Sequence, residues 1–598
     1  MNDPSLHTGS ENQTLPPHLV FSPHAGRHAR SVAPSVLLFC LVFALLMARD
    51  WHTIAARDLY VWDESTNSTV SANLTRRAFP AMLRINSLLD EQGERKFSGS
   101  WMEGPYWQHI PPLFAYIPLP LFAIDGRVTI EMKRLAYALV LLLSGIGFIV
   151  SVSRFDRSRL ANASATFAAI LWIMNPFTRG LISGRNFGVS DVVLAGTTIL
   201  CLWAMLRYLA QSPAIRAAYP AGKVAQIAAV MALPILVKSA LGLIPAAAFF
   251  TLLVWDRKKP DRTLVISCVA FLGVIAFCFA PLYFSSPETF RSGIIVPMAH
   301  TGNLEGWAKP WYFFVVSYLP VYYFPNWTRV AYDIFLFSLA LLLDKRIQGR
   351  SRTILAMCAG WFVWNLIAVS SISSKSPNFM FQSLLPFLFF CIYGPVRWLE
   401  LNGGFSPVIA TYAEKLRANW PAGLKLATTI ISVLAFAGFA FWAYRIHRER
   451  TTPYFYYTTH ELFYQFAEAE QAAGANTNDL FILNSSVEDC WFRYYVLFLT
   501  GSDARTLSEM VSYDVAAKDV QAKYARIHFV LPEPDTPPEI ATAMNMGVLN
   551  RYRTLSFDAR ELKPDYAAIL KSWAAESPRN RLYPPASSCT WPPFAAKR

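Results

Sequence analysis

Charge is what this 598-residue chain has least of: Asp, Glu, Lys and Arg make up 16% of it, against 54% hydrophobic residues. Ordinary soluble chains carry about 25% charged residues. The composition therefore excludes a compact cytosolic enzyme, a coiled coil, collagen and a disordered polymer. Cysteine is also sparse, at eight residues. Cys40, Cys201, Cys268, Cys278, Cys358 and Cys391 lie in or beside apolar runs and pack as small hydrophobes. Cys490 and Cys589 fall in the polar C-terminal stretch, and no CxxC or Cys/His spacing suggests zinc. Basic residues outnumber acidic ones by 54 to 40, yet no basic face carries the interleaved aromatics that stack nucleic-acid bases, so no nucleic-acid partner is expected. A small-residue cleavage site after the first apolar run is missing too: Arg49, Asp50 and Trp51 follow it directly, which favours an uncleaved first span over a signal peptide.

What the chain does have is apolar runs of membrane-crossing size. They fall near 32 to 48, 133 to 152, 160 to 178, 190 to 206, 224 to 237, 240 to 255, 264 to 283, 329 to 343, 353 to 371, 379 to 396 and 426 to 444. A bilayer needs about 20 residues of helix, so we expect a mainly α, polytopic membrane protein with about eleven crossings. Basic residues mark the cytoplasmic loops. Starting inside, the inner loops carry Arg154, Arg157 and Arg159, then Arg257, Lys258, Lys259 and Arg262, then Lys345, Arg346, Arg350 and Arg352, while the outer loops carry few. Pro111 to Ile124 is too short and too broken by proline to cross, and is expected to lie at the interface. Trp311 to Phe324, interrupted at Pro320 and Pro325, enters the membrane from the outside.

The expected organisation follows from these runs. Residues 1–31 form a disordered cytoplasmic tail, 32–444 the transmembrane domain, and 445–598 a soluble extracytoplasmic domain. The transmembrane part carries a first outside loop at 49–132 and a middle one at 285–328. In the tail, Leu480 to Leu483 and Ile527 to Leu531 read as short strands with a helix over Val487 to Leu499 between them, a small α/β unit. Cys490 and Cys589 share that compartment and could form a disulfide there if it is oxidising.

Ionisable residues collect at the outside ends of the spans. Asp63 and Glu64 follow the first span, and His109 precedes the interfacial segment. Arg185 and Asp191 follow the third span, Lys238 sits in the turn between the fifth and sixth, His300 and Lys309 lie in the middle loop, and Lys375 lies between the ninth and tenth. Taken singly, each has an ordinary explanation as a solvated loop charge or an interfacial anchor. Together, several cations at one membrane face suit a lipid-linked phosphate, and the acids suit proton acceptance.

Five collinear stretches and a sixth carry a resemblance. They are Trp62-Asp63-Glu64; Tyr106-Trp107-Gln108-His109-Ile110-Pro111-Pro112-Leu113; Asn186 to Asp191; Leu236-Val237-Lys238-Ser239-Ala240-Leu241-Gly242-Leu243; Ser374-Lys375-Ser376-Pro377-Asn378-Phe379; and His300 through Lys309-Pro310-Trp311-Tyr312-Phe313. In this order they resemble the GT-C superfamily of polyprenyl-phosphate-sugar glycosyltransferases, in the branch of the aminoarabinose lipid A transferases and protein mannosyltransferases. The resemblance implies a bacterial inner-membrane enzyme, working on its extracytoplasmic face, that transfers one sugar with inversion from a polyprenyl phosphate such as undecaprenyl phosphate. Lipid A or lipopolysaccharide, another envelope glycan, or protein would be the acceptor.

By that resemblance Asp63 is the catalytic base. Glu64, His109, Arg185, Asp191, Lys238, His300, Lys309 and Lys375 are substrate-binding candidates, the cations toward phosphate and Asp191 toward donor or acceptor. Some members hold a divalent metal through the first-loop acid, which here would be Asp63. One departure stands out: many relatives have Glu-Lys-Pro where this chain has Gln108-His109-Ile110-Pro111. Either His109 is protonated beside the phosphate or another cation supplies the charge. The alternative class, a transporter or lipid-linked sugar flippase, would place polar groups at the bilayer midplane within two similar halves. No internal repeat is visible and the charges collect at one face.

The inside-start, eleven-span reading predicts that reporter fusions after Arg352 and after Arg448 report cytoplasmic and extracytoplasmic locations respectively. Any other pair of answers contradicts it.

Overall fold

In a computed structural model of the chain, the described residues are 24–54, 71–76, 113–182, 189–238, 241–257, 261–285 with 287, 309–323, 328–372, 376–401, 457–483, 489–506, 517–534 and 550–565 with 568. Ten of the eleven apolar runs carry a described helix; the last, 426 to 444, lies outside the described residues. Among the described residues, six helices are long and apolar enough to cross a membrane: Val32–Trp51, Ile130–Asp156, Ser190–Leu209, Arg262–Ala280, Gly349–Ser371 and Asn378–Leu401.

In chain order, α1 is His24–Ile54, α2 Leu113–Tyr116, α3 Leu119–Asp125, α4 Ile130–Asp156, α5 Arg159–Met174, α6 Pro176–Ile182 and α7 Val189–Leu209. Then come α8 Pro213–Ala217, α9 Ala221–Ala232, α10 Leu243–Arg257, α11 Arg262–Ser285, α12 Thr328–Leu341, α13 Gly349–Ser371 and α14 Phe381–Leu401. The start of α1 at His24 corrects the expected disordered tail, whose last residues, His24 to Arg30, are helical. The Pro111 to Ile124 segment forms two short helices, α2 and α3, parted at Pro118, and α3 ends on Gly126 with φ +72°. The segment expected to enter the membrane from outside is wound with the wide turns of a π-helix over Phe314–Tyr323, spanning Pro320. The proline cannot donate to a normal ladder, and wider turns accommodate it.

Helices α1, α4, α5, α7, α12, α13 and α14 share one apolar core, in which Phe39, Phe148, Trp172, Val193, Leu355 and Phe390 are buried. On α11, by contrast, Val265, Val269, Leu272 and Phe277 are exposed. In water each large apolar side chain left bare would forgo about 1.5–3 kcal/mol, so this helix suits a lipid surrounding. Polar ties fasten the bundle at the end where α4 finishes. There Asp156 Oδ2 accepts from Tyr393 Oη at 2.5 Å and Ser351 Oγ at 2.9 Å, joining α4, α13 and α14.

The C-terminal unit contains α15 Tyr457–Ala472, β1 Asp479–Leu483, α16 Asp489–Thr500, β2 Asp503–Thr506, α17 Ala517–Lys523, β3 Arg526–Pro534 and β4 Asn550–Asp558. The sheet order is β2-β1-β3-β4, with β1 parallel to β2 and β3, and β4 antiparallel to β3. Both expected strands and the helix between them are present, and the unit is α/β; β2 and β4 are additional. Cys589 and the side chain of Cys490 lie outside the described residues. The unit seats on the bundle through a shared cluster, in which Phe122, Val128 and Ile130 pack with Phe481, Leu483, Tyr495, Phe498 and Val530.

Within the sheet Asp479 is buried and takes a forked pair of contacts from Arg526, Nε at 2.9 Å and Nη2 at 2.6 Å. His528, also buried, stacks on Phe481 at 4.4 Å, and its Nδ1 is 2.7 Å from Ser556 Oγ. Burial pushes His528 below its ordinary value, with Asp479 opposing and Arg526 reinforcing. The unfolded imidazole titrates near ~6.5. As pH falls, the unfolded chain therefore binds that proton first, and the stability contributed by the neutral ring, full above that value, is lost below it. Substituting His528→Phe should flatten the loss of thermal stability of the full chain between about pH 7 and 5, measured in detergent. An unchanged slope would assign the loss to other groups.

Candidate functional site

The end of the bundle where α4, α7 and α14 begin brings together two of the three described candidates, Asp191 and Lys238. Asp191 lies in the first turn of α7. That position favours a carboxylate, since the helix's free N–H groups and dipole face it. Its side chain is only 1% exposed, and Oδ1 accepts from Lys238 Nζ at 2.7 Å. The partner Oδ2 is buried without a hydrogen-bond donor among the described residues.

Lys238 reaches this acid because the chain after α9 tightens instead of continuing as a helix. Pro234 has no N–H to extend the ladder, and the chain coils through turns in which Val237 N and Lys238 N both donate to Pro234 O, at 3.1 and 2.9 Å. Gly242 closes the loop, its N–H donating to Lys238 O at 2.7 Å. A Cβ at Gly242 would sit 2.3 Å from the Pro234 carbonyl and 2.4 Å from Ile235 N, so only glycine fits against this backbone. Leu113 N donates to Leu236 O at 3.4 Å, joining the start of α2 to the same turn. The Lys238 ammonium also stands 5.0 Å from the ring centre of Phe379, a cation–π contact. Three of the stretches singled out in the sequence, around Asp191, Lys238 and Phe379, therefore meet.

A buried polar network supports them from below. Asn365 Nδ2 donates to Phe379 O at 3.1 Å and to Ser383 Oγ at 3.0 Å, while Gln382 Nε2 donates to Asn365 Oδ1 at 3.0 Å and to Leu241 O at 3.4 Å. Thr198 Oγ1 donates to Gln382 Oε1 at 3.2 Å. The network thus fixes both the turn carrying Lys238 and the segment carrying Phe379. Tyr323 is buried, and its carbonyl accepts from Asn175 Nδ2 at 3.0 Å.

Of the other candidates, Lys309 is exposed and stands over its own segment's Phe313 at 5.5 Å, with no ion pair to Asp191. Asp63, Glu64, His109, Arg185, His300 and Lys375 lie outside the described residues. Among the described residues no three His, Cys, Asp or Glu side chains gather as metal ligands. Sequence reasoning did not single out several residues at this end. Lys133 and Arg134, in the first turns of α4, are fully buried cations, and their signal was a basic pair placed inside the head of an apolar run. Arg179 Nε lies 2.5 Å from Asp50 Oδ2, joining α6 to α1, where the sequence shows only two loop charges.

No family model matches the chain, and no curated protein matches it in sequence. Solved structures do match. The crystal structure of ArnT from Cupriavidus metallidurans bound to undecaprenyl phosphate aligns over 88% of this chain and 98% of that one, at 16% identity and a TM-score of 0.51. The chain has the ArnT fold. The apo form of the same protein aligns over 87% and 97%, at 16% identity and a TM-score of 0.49. ArnT is an aminoarabinose lipid A transferase of the GT-C superfamily, the branch the sequence motifs resemble. The ArnT-like alignment spans helical bundle and C-terminal unit together.

Gly242→Ala should displace the 234–235 backbone and separate Lys238 from Asp191. If it does, Gly242→Ala and Lys238→Met should lower the thermal stability of the full chain in detergent by similar amounts, since each leaves the buried Asp191 carboxylate without its partner, a loss of about 3–5 kcal/mol for a buried pair. Stability unchanged in Gly242→Ala would show that the tight turn does not set the lysine's position.

Proposed function

We propose that the chain is a membrane glycosyltransferase that moves one sugar from a polyprenyl phosphate to an acceptor hydroxyl on the extracytoplasmic side of a bacterial inner membrane. The observation that carries this reading is the Asp191–Lys238–Phe379 constellation at one end of an ArnT-like fold. In this reading residues after about 445 lie in the same outer compartment, and lipid A, another envelope glycan or protein is the acceptor.

The chemistry assigns roles to this chain's residues. In an inverting displacement the acceptor oxygen attacks the anomeric carbon from the face opposite the phosphate, the carbon–oxygen bond to phosphate breaks, and its electron pair stays on the departing lipid phosphate. Asp63 takes the acceptor's proton as the attack develops. The leaving phosphate gains negative charge, which a cation held ready in a low-dielectric site stabilises more than water does. Lys238 suits this role, because its ammonium has three donors, one engaged by Asp191, and its side chain remains 23% exposed. Asp191 holds that ammonium in place. Its second oxygen, Oδ2, is an acceptor for a hydroxyl or ammonium group of the bound sugar. Lys375, Arg185, His300, Lys309 and His109 are the remaining phosphate-side candidates, and Glu64 stands beside the base.

Asp63→Asn should lower transfer by about 10²- to 10⁴-fold, the usual worth of a general base, while undecaprenyl phosphate binding stays nearly unchanged. Mass spectrometry of envelope lipids and glycans from cells carrying the wild-type chain, Asp63→Asn or no chain measures it. A sugar-sized mass lost in both altered strains is the expected result. A profile altered only by removal of the chain would take the base role away from Asp63.

A further inference from the structure

The described chain resumes at 71–76, eight residues after Asp63, and meets the C-terminal unit there. Ala72 is fully buried in the cluster that also holds Tyr464, Phe481, Tyr495 and Phe498. Arg76 reaches further. Its guanidinium donates to three consecutive carbonyls at the end of α16: Nη1 to Leu497 O at 3.3 Å and Phe498 O at 2.5 Å, and Nη2 to Leu499 O at 2.6 Å. The last carbonyls of a helix have no partner within it and carry its negative pole, so a cation with a planar fork of donors is well matched to them. The following residue leaves room for this approach: Gly501 has φ +76°, and a Cβ there would lie 2.9 Å from Arg76 Cδ. The buried Ala72 and the Arg76 fork on α16, for which Gly501 leaves the path clear, thus join two segments more than 400 residues apart.

We propose that Arg76 is a positioning residue that fastens residues 71–76 of the first outside loop, the described stretch that begins eight residues along the chain from Asp63, to the C-terminal unit. That unit is then a working part of the transfer site. The proposal rests on the transferase reading for its catalytic consequence but not for the contact itself. A simple helix cap would stabilise α16 and leave the loop indifferent; a lock couples the two.

Hydrogen exchange on the full chain in nanodiscs separates these. In Arg76→Ala, exchange should speed up by about tenfold or more, the worth of a lost charge-assisted contact, in both 71–76 and the 495–503 region. Gly501→Ala should do the same, and the double variant should add little to either single one, since both remove one contact. Arg76→Lys, able to reach one carbonyl, should recover part of the protection in both regions. The envelope sugar mass should fall in Arg76→Ala and partly return in Arg76→Lys, with undecaprenyl phosphate binding unchanged in both. Faster exchange in the C-terminal region alone reduces Arg76 to a cap and overturns the proposal. Faster exchange in both with the sugar mass intact, where Asp63→Asn abolishes it, overturns the positioning role. If Asp63→Asn also leaves the mass intact, the transferase reading has failed, and the exchange data still decide whether the lock exists.

Discussion

The ion pair between Lys238 and Asp191 is the constraint around which this end of the molecule is built. Its carboxylate is almost wholly enclosed, and its 2.7 Å contact gives the charge a direct partner. Removing one member of such a pair leaves an uncompensated buried charge and costs about 3–5 kcal/mol. The surroundings answer that cost. The first turn of α7 supplies N–H groups and a favourable dipole to the acid. Pro234 and Gly242 coil the opposing chain so that the lysine arrives at the right height. Asn365 and Gln382 hold the turn and Phe379 by hydrogen bonds that are themselves buried and satisfied by one another. Replacing a buried ion pair by well-packed hydrophobic residues is often neutral or stabilising, so on the proposed reading the pair is a charge kept ready for a ligand.

The rest of the fold places that charge. Among the described residues, six long apolar helices provide a frame, the short α2 and α3 cover its end, and the α/β unit seats on α3 and the start of α4 through Phe122, Val128 and Ile130. Arg76 ties the loop downstream of Asp63 to the same unit. Asp191, Lys238 and the covering helices are thus held by different segments that meet at one end of the bundle.

Much of this was legible in the sequence, because long apolar runs and clusters of arginine have few physical explanations. The strand Leu480 to Leu483 was legible for a similar reason: as the central member of a parallel set it is buried on both faces and reads as a continuous apolar run. β2, Asp503–Thr506, is four residues with two charges, and β4, Asn550–Asp558, is a polar edge strand. β2 is buried, yet Asp503 and Arg505 hide it from an apolar reading, and in β4 only Leu555 and Phe557 alternate against polar neighbours, too short a pattern to mark a nine-residue strand. Asp191 and Lys238 each stand out in the sequence, but that they touch across 47 residues is a property of the turn at Pro234 and Gly242. Arg76 had no local signal, since its partners are backbone carbonyls, which every sequence has. Asp63 and five other candidates lie outside the described residues, and their roles rest on the motif resemblance.

The most direct test of the central claim is an experimental structure of the full chain in nanodiscs with undecaprenyl phosphate. We expect a phosphate oxygen within about 3 Å of Lys238 Nζ, the distance of a charge-assisted contact, with Asp191 still holding the same ammonium. A phosphate bound away from Lys238, with the Lys238–Asp191 pair closed off from it, would contradict that claim.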